Sequence, residues 1–155
     1  MELYSSNDAL TVFLRGLNIE IAPHYLTGSR IVLGGLFTRG ETKIAYRLDE
    51  EVATVVIIYY ESMAQKAGLT NQFSDLLWFF DCLIRPELKI EGVKGLVRPV
   101  ISKETGLSAS RLEKFYRILG AKVVETDKSG QQWLGGTVEG YRQWRARRLQ
   151  LKKAD

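Results

Sequence analysis

The chain has 155 residues, of which 45% are hydrophobic and 26% are charged, and its formal net charge is +4. This length and composition predict one globular domain that buries about two thirds of the surface exposed by the unfolded chain. The sequence contains no apolar run of about 18 residues, which excludes a transmembrane helix, and its first residues, MELYSSNDAL, lack the basic and apolar regions of a signal peptide. We therefore expect a cytoplasmic protein.

Cysteine and histidine each occur once, as Cys82 and His24. A single cysteine forms no internal disulfide, and the apolar run LLWFFDCLI favours a buried thiol over a nucleophile at this position. One histidine and one cysteine do not supply the three or four ligands that a zinc site needs. The sequence therefore predicts no metal site.

The first elements in chain order are a short helix and a hairpin. Ser6 or Asn7 caps the predicted helix, DALTVFLRGLN, whose apolar side chains recur at helical spacing. The β-rich runs RIVLGGLF and KIAYRLD follow, and TRGET between them supplies Gly40 as a turn residue. This pattern predicts a β-hairpin, and we expect the helix to pack on its sheet.

The run VATVVIIYY, from Val52 to Tyr60, is rich in β-branched and aromatic residues, which is typical of a central strand. Its periodicity also fits one face of a helix. The next segment decides in favour of the strand, because QKAGLT precedes a helical pattern that starts near Phe73 and that Pro86 ends. Unpaired N–H groups at a helix N-terminus after such a loop can hold a phosphate or pyrophosphate.

Three further elements are predicted downstream. GVKGLVRPVI reads as a strand, and LSASRLEKFYRIL as a helix that ends at Gly120. The inner face of that helix carries Leu112, Phe115 and Leu119, with Tyr116 beside them. AKVVETDKSGQQWLGG then predicts a second hairpin, with its turn at DKSG.

The last segment, residues 137–155, is a predicted basic helical arm that follows a single domain at residues 1–136. It contains one internal acidic residue, Glu139, and six basic residues: Arg142, Arg145, Arg147, Arg148, Lys152 and Lys153. The arm could attach to nucleic acid, an anionic membrane surface or an acidic partner. Alternatively, it is a solvated terminal helix whose cations suit the negative end of the helix dipole. We expect Tyr141 and Trp144 to dock it.

The order of these elements resembles the GNAT superfamily of acyl-CoA-dependent N-acyltransferases over roughly residues 30–136. GVKGLVRPV and RLEKFYRILGAKVVE look like the family's fifth strand, its last helix with a Phe-Tyr pair, and the step into its sixth strand. The resemblance implies an α/β fold with a mixed, mostly antiparallel sheet flanked by helices, here followed by a basic C-terminal helix. It also implies acetyl-CoA or another acyl-CoA as cofactor, and an amine acceptor.

The same resemblance implies site residues. The loop QKAGLT is similar to the family's pyrophosphate motif, in which Gln65 and Gly68 match the pattern and Thr70 departs from it. The implied cofactor-binding residues are Gln65, Lys66, Ala67, Gly68, Leu69 and Thr70. Tyr116 is the implied catalytic residue, because it holds the position that protonates the thiolate of coenzyme A. Its alternative role is packing, with a hydrogen-bonded hydroxyl. Candidate general bases are three carboxylates that flank the central strand: Glu50, Glu51 and Glu61.

A second catalytic interpretation pairs His24 with Asp81. Pro23-His24 and WFFD resemble the histidine and aspartate of toxin-activating acyltransferases, which are relatives of the same fold. A lone histidine in a loop is also commonly a surface or structural residue. The interpretation would further require LLWFFDCLI to be a strand rather than a helix.

A different class of function is implied by a resemblance to the LcrR family of small proteins encoded with type III secretion systems. The segments that carry it occur in the same order across most of the chain: HYLTGSRIVLGGLF, IAYRLDEE, GLVRPV, FYRILGA and QWLGG. This resemblance implies a regulator or assembly protein with a protein partner in the secretion apparatus. Acyl-CoA binding separates the two functions, since a ligand that binds the folded state raises its thermal stability.

Overall fold

A computed structural model describes residues 2–62, 73–96, 109–128, 130 and 132–154. In these ranges, seven strands form one sheet in the order β1-β2-β3-β4-β5-β7-β6. The strands are β1 (Ala22–Tyr25), β2 (Val32–Arg39), β3 (Thr42–Asp49), β4 (Thr54–Ser62), β5 (Gly92–Leu96), β6 (Lys122–Thr126) and β7 (Gln132–Thr137). The helices are α1 (Ala9–Gly16), α2 (Ser74–Leu83), α3 (Ala109–Ile118) and α4 (Val138–Ala154), with a 3₁₀ turn at Pro86–Leu88.

The sheet is mixed and mostly antiparallel, as the sequence predicts. Five of its strand pairs are antiparallel, and β4 and β5 are parallel, from Thr54 opposite Gly92 to Ile57 opposite Gly95. Two parallel neighbours need a crossover connection, and α2 lies within the connection between them. The α/β class and the strand assignment of Val52 to Tyr60 are therefore confirmed, apart from Val52 and Ala53, which lie in the preceding turn.

The structure differs from the sequence-based prediction at the start of the chain. Asp8, rather than Ser6 or Asn7, caps α1, because its carboxylate accepts a hydrogen bond from the Thr11 amide at 2.9 Å. In addition, β1 was not predicted, since Ala-Pro-His-Tyr has little strand propensity of its own. Pairing with β2 stabilises it, with Ala22 opposite Leu36 and His24 opposite Gly34.

One side of the sheet, which we call the helix face, carries the core. Because side chains alternate along a strand, Phe37, Tyr46, Ile57 and Gly95 share this side. The Phe79 ring of α2 lies 5.5 Å from the Phe37 ring and 5.8 Å from the Tyr46 ring. All four helices are held on this side, directly or through α2, by a few specific contacts: Thr11 with Tyr46, Asp75 with Thr42, Tyr116 with Gly95, and Tyr141 with Phe80.

The opposite side, which we call the free face, includes these side chains of β1 to β5: His24, Leu36, Lys43, Ala45, Arg47, Val56, Tyr59, Glu61 and Lys94. Of these, Ala45 and Val56 are buried between their neighbours. Within the described ranges, its ring and ion-pair contacts join strand to strand. The rings of His24 and Tyr59 stack at 5.8 Å, and Lys94 reaches Trp133 and Glu125. The aromatic side chains of this face are half-buried, whereas Lys43 and Arg47 are exposed.

Candidate functional site

The candidate site lies where α3 crosses β5 on the helix face. Two adjacent aromatic residues of α3 point inward: Phe115 is fully buried and stacks on Phe73 at 4.6 Å, and Tyr116 is 5% exposed and lies 6.4 Å from the Phe80 ring. The helical spacing of Leu112 and Leu119 on the same buried side confirms the predicted inner face. The Tyr116 side chain, which projects from α3, is thereby held against α2 and the sheet.

Gly95 forms the opposite wall. A Cβ atom at this position would lie 3.6 Å from the Tyr116 hydroxyl and 3.2 Å from the Ile57 carbonyl oxygen, so glycine leaves the space that the phenol faces. The result is a cavity of about 50 Å³. Its principal apolar walls are Ile57, Phe80, Leu119, Leu134 and Tyr141.

The Tyr116 hydroxyl is buried and, among the described residues, has no hydrogen-bond partner. Burial, and secondarily the neighbouring phenol of Tyr60, raise the pKa of Tyr116 above that of an ordinary tyrosine. The hydroxyl therefore keeps its proton and acts as a hydrogen-bond donor, and it is a weaker acid than a solvated phenol. A buried donor without a partner costs about 1–3 kcal/mol, so such groups are uncommon in folded proteins. The Tyr60 hydroxyl is a second buried group without a hydrogen-bond partner among the described residues.

The predicted cofactor loop, Gln65 to Thr70, lies outside the described residues. The carboxylates proposed as bases do not face Tyr116. Glu50 and Glu51 lie in the turn before β4, and Glu61 is on the free face, opposite Lys43. In the described structure, Tyr116 is therefore not accompanied by any of the bases that the sequence suggested.

His24 and Asp81 are not brought together either. His24 is on the free face, where it stacks on Tyr59 and burial lowers its pKa. Asp81 belongs to α2 on the other side of the sheet, and LLWFFDCLI is helical rather than a strand. The paired His-Asp interpretation is wrong for this reason.

Cys82 is 6% exposed, and burial, followed by the charge of Asp81, raises the pKa of its thiol to about 11. This confirms the buried thiol that the apolar run predicts. No cluster of three potential metal ligands is found among the described residues. Nor does any helix in the described ranges have the length and apolarity needed to cross a membrane.

The basic arm forms α4, which is docked on α2 through its aromatic and cationic side chains. The Tyr141 hydroxyl donates to the Asp81 carboxylate at 2.6 Å, and the Arg145 guanidinium lies 3.2 Å from the same carboxylate. Arg142 donates to the Ile84 carbonyl at 2.6 Å. The predicted docking of Tyr141 is thus confirmed, and two of the arm's arginines serve contacts within the chain. Sequence reasoning missed Asp81 as the shared partner of Tyr141 and Arg145, because α2 and α4 are far apart in the chain.

The free face is a second candidate surface, and it was not found from the sequence. Its side chains come from five strands, and only the register places Leu36, Ala45 and Tyr59 in one row. The exposed cations Lys43 and Arg47, four residues apart on a strand with buried residues between them, were the available signal for an uncovered side.

Comparisons with known proteins bear on both resemblances. The family model described as "Type III secretion system regulator (LcrR)" matches residues 7–132. The low calcium response locus protein R of Yersinia enterocolitica and that of Yersinia pestis are each 29% identical over 123 residues, which cover 77% of this chain and 81% of the relative.

Among solved structures, the N-terminal domain of a ribosomal-protein-alanine acetyltransferase from Clostridium acetobutylicum ATCC 824 matches with a TM-score of 0.46 and 16% identity. The match covers 80% of this chain and 94% of that domain. It says nothing about activity in this chain. The family match spans most of the sequence, and the chain therefore belongs to the LcrR family of type III secretion system regulators.

Proposed function

We propose that this chain regulates type III secretion without catalysis, by binding a protein of the secretion system through the free face. The free face carries this proposal. It is a broad surface of the central strands on which Leu36 and Tyr59 are half-exposed, with the buried Ala45 between them and charged side chains around them.

The composition of the free face suits a protein interface. Interfaces that bind proteins combine an apolar, aromatic centre with a polar rim, and tyrosine and arginine contribute a large share of the binding energy. Tyr59 lies at the centre and stacks on His24. Arg47 and Lys43 supply exposed cations beside it, and Lys43 pairs in register with Glu61. A partner with a complementary apolar patch and acidic rim would fit this surface.

Tyr116 supports a non-catalytic role. A general acid works best when its pKa is near the operating pH, whereas burial moves the pKa of this phenol further away. This property favours binding over catalysis as the function of the chain.

The experiment is complementation of a strain that carries the secretion system and lacks this gene. We expect the Arg47→Glu and Tyr59→Ala variants to fail to restore the wild-type profile of secreted proteins to the deletion strain. The Tyr116→Phe variant should restore it. Thermal melts of the purified variants would establish that each one folds. The reverse outcome, in which only Tyr116→Phe fails, would contradict a binding role and point to chemistry at the phenol.

A second candidate is the acyl-CoA-dependent N-acyltransferase that the sequence resembles. The observation that favours it is the unpartnered Tyr116 hydroxyl beside a cavity that admits a short acyl group. The test is a thermal melt of the full chain with acetyl-CoA and longer acyl-CoAs up to millimolar concentration. An enzyme gains stability of about RT ln(1 + [L]/Kd), about 2.7 kcal/mol at a hundredfold excess over Kd. A flat series would eliminate this candidate.

A further inference from the structure

We propose that the cleft between the C-terminal end of α3 and the first turns of α4 binds a small free carboxylic acid with an aromatic or apolar body, and that Arg147 holds its carboxylate. The cleft has a volume of about 210 Å³. It is on the helix face, so the inference does not depend on the partner-binding role of the free face.

The spacing of residues along α4 forms one wall of the cleft. Gly140, Trp144 and Arg147 occupy positions i, i+4 and i+7, so they share the face of the helix that borders the cleft. Gly136, at the end of β7, belongs to the floor. A Cβ atom there would lie 3.8 Å from the Ala121 Cα, an ordinary contact, so glycine leaves free space above the sheet.

Arg147 carries the charge of the cleft. No acidic residue and no second cation line the cleft among the described residues. The other arginines in the described part of α4 each contact a group of the chain: Arg142, Arg145 and Arg148. Arg147 is exposed and has no ion pair with a described residue. Because long helical side chains lean towards the N-terminus of their helix, the guanidinium extends back over the cleft.

Other exposed groups of the cleft complement this cation. The Thr137 oxygen accepts a hydrogen bond from the Gly140 amide at 2.9 Å, and a hydroxyl that accepts one bond still has its own proton to donate. Ile118 is 42% exposed and the Trp144 ring is half-buried, so both offer apolar surface. Apolar walls with a few polar groups are typical of sites that bind and orient small molecules.

The charges around the cleft select a carboxylate over a phosphate. The planar guanidinium fork matches the two oxygens of a carboxylate. The C-terminal end of α3, which borders the cleft at Gly120, carries a negative partial charge and disfavours a doubly charged anion. The volume is below the roughly 300–1,000 Å³ of sites for drug-sized ligands, which suits one ring with a short acid.

The sheet favours a free acid over the C-terminus of a protein. Peptides that bind beside a strand gain affinity from main-chain hydrogen bonds to an open sheet edge. β7 lies between β5 and β6 and pairs with both, so the floor of the cleft offers no such edge.

The test uses two probes of the same shape, phenylacetate and phenylacetamide, which differ in the charge of one end. Each is titrated into the full chain with ¹⁵N-labelled tryptophan. Of the three tryptophans, Trp144 alone lines the cleft, so the indole signals of Trp78 and Trp133 are internal references. We expect a saturable shift of the Trp144 signal with phenylacetate, and an affinity at least about tenfold lower for phenylacetamide. Equal affinities, or no saturable shift with either probe, would overturn the proposal.

Two competitors test the class of ligand. Inorganic phosphate at the same concentration should not displace phenylacetate. Displacement would reveal a general anion site and refute selection for a carboxylate. N-acetylphenylalanine mimics the last residue of a protein, and tighter binding of this probe than of phenylacetate would overturn the assignment to a free acid.

Two variants form a matched control, because each removes one exposed arginine from the same region. Arg147→Gln should weaken phenylacetate binding about tenfold, the loss expected for a hydrogen bond to a charged group, and leave phenylacetamide binding unchanged. Arg117→Gln should leave both unchanged, since Arg117 does not line the cleft and its guanidinium lies 3.8 Å from the Glu113 carboxylate. Equal losses in the two variants would mean general attraction to a basic surface and would refute a site at Arg147.

Discussion

Tyr116 and Tyr141 show how the surroundings of a residue decide what its hydroxyl contributes. Both phenols are buried and border one cavity, yet one donates to a carboxylate at 2.6 Å and the other has no partner among the described residues. A hydrogen bond to a charged group contributes about 1.5–3 kcal/mol, whereas an unpaired buried donor costs free energy.

The two Tyr→Phe variants should therefore differ in stability. We expect Tyr141→Phe to lower the free energy of unfolding by about 1–3 kcal/mol, because Asp81 loses a donor. Tyr116→Phe should leave that free energy unchanged or raise it, since no described partner loses a bond. Urea unfolding measures both values. A loss for Tyr116→Phe as large as that for Tyr141→Phe would mean that the Tyr116 hydroxyl is satisfied in the folded protein.

The sequence predicted the location of Tyr116 but not its surroundings. Helical periodicity places Phe115 and Tyr116 near the inner side of α3, and the structure buries both. The facing wall depends on Gly95, Ile57 and Leu134, which the sheet register brings together from three strands. Such long-range pairing leaves no local pattern in the sequence, so the cavity could not be predicted.

At the scale of elements, α4 is a docked helix as well as a basic one. Its inward cation, Arg145, shares the Asp81 carboxylate with Tyr141, whereas Arg147 is exposed and, in the described part of the chain, has no ion pair. The positive charge of this helix is thus partly used inside the molecule, which weakens the case for an arm that binds nucleic acid.

Two arginine variants separate docking from external binding. Arg145→Ala should lower the free energy of unfolding by about 0.5–1 kcal/mol, the usual value for a partly exposed ion pair. Arg147→Ala should change it by less than about 0.5 kcal/mol, as surface substitutions usually do. Chemical unfolding at low and high salt tests this, because the difference between the variants should shrink as salt screens the ion pair. Identical stabilities at low salt would show that Arg145 does not dock α4.

The elements predicted best were those with a strong local pattern. β2, β3, β4 and α2 follow from β-branched runs, the turn at Gly40 and helical spacing, and Gly40 has the positive φ of 59° that such a turn requires. β1 was missed because it contains Pro23 and takes its structure from its neighbour β2. The loop Gln65 to Thr70 falls outside the described residues, so the phosphate-binding prediction made for it stays a prediction.

At the scale of the whole molecule, buried acids of high pKa make stability depend on alkaline pH. Burial raises the pKa of Cys82 to about 11, from 9.0 in the unfolded chain, and raises those of Tyr46, Tyr60, Tyr116 and Tyr141. As the pH rises above 9, these groups lose their protons in the unfolded chain at a lower pH than in the folded chain. The unfolded chain then binds fewer protons than the folded chain. Stability must therefore fall as the pH rises.

We expect the free energy of unfolding to be nearly constant from pH 7 to 8.5 and to fall between pH 9 and 11. Each retained proton contributes a slope of at most about 1.4 kcal/mol per pH unit. Urea unfolding at half-unit steps of pH measures the slope. Cys82→Ala should reduce it between pH 9 and 10, where the thiol is the first group to ionise in the unfolded chain. A slope that this substitution does not alter would place the Cys82 pKa near its ordinary value.

The whole sheet also accounts for the proposed regulatory role. In the described structure, its helices are gathered on one face, and the other face presents Tyr59, His24 and Arg47 from the central and edge strands. A sheet covered on one side leaves a wide and rigid surface that needs little reordering to bind a partner. Rigid surfaces bind with a smaller entropic cost than flexible ones.

Site-specific photo-crosslinking tests this account most directly. A benzophenone amino acid is placed at Tyr59 on the free face or, as the control, at Ile118 on α3, which is 42% exposed. Cells that carry the secretion system are then irradiated. We predict one adduct with a secretion-system protein from position 59, lost on Arg47→Glu, and no such adduct from position 118. The same adduct from both positions, none from position 59, or an adduct with nucleic acid would contradict binding through the free face.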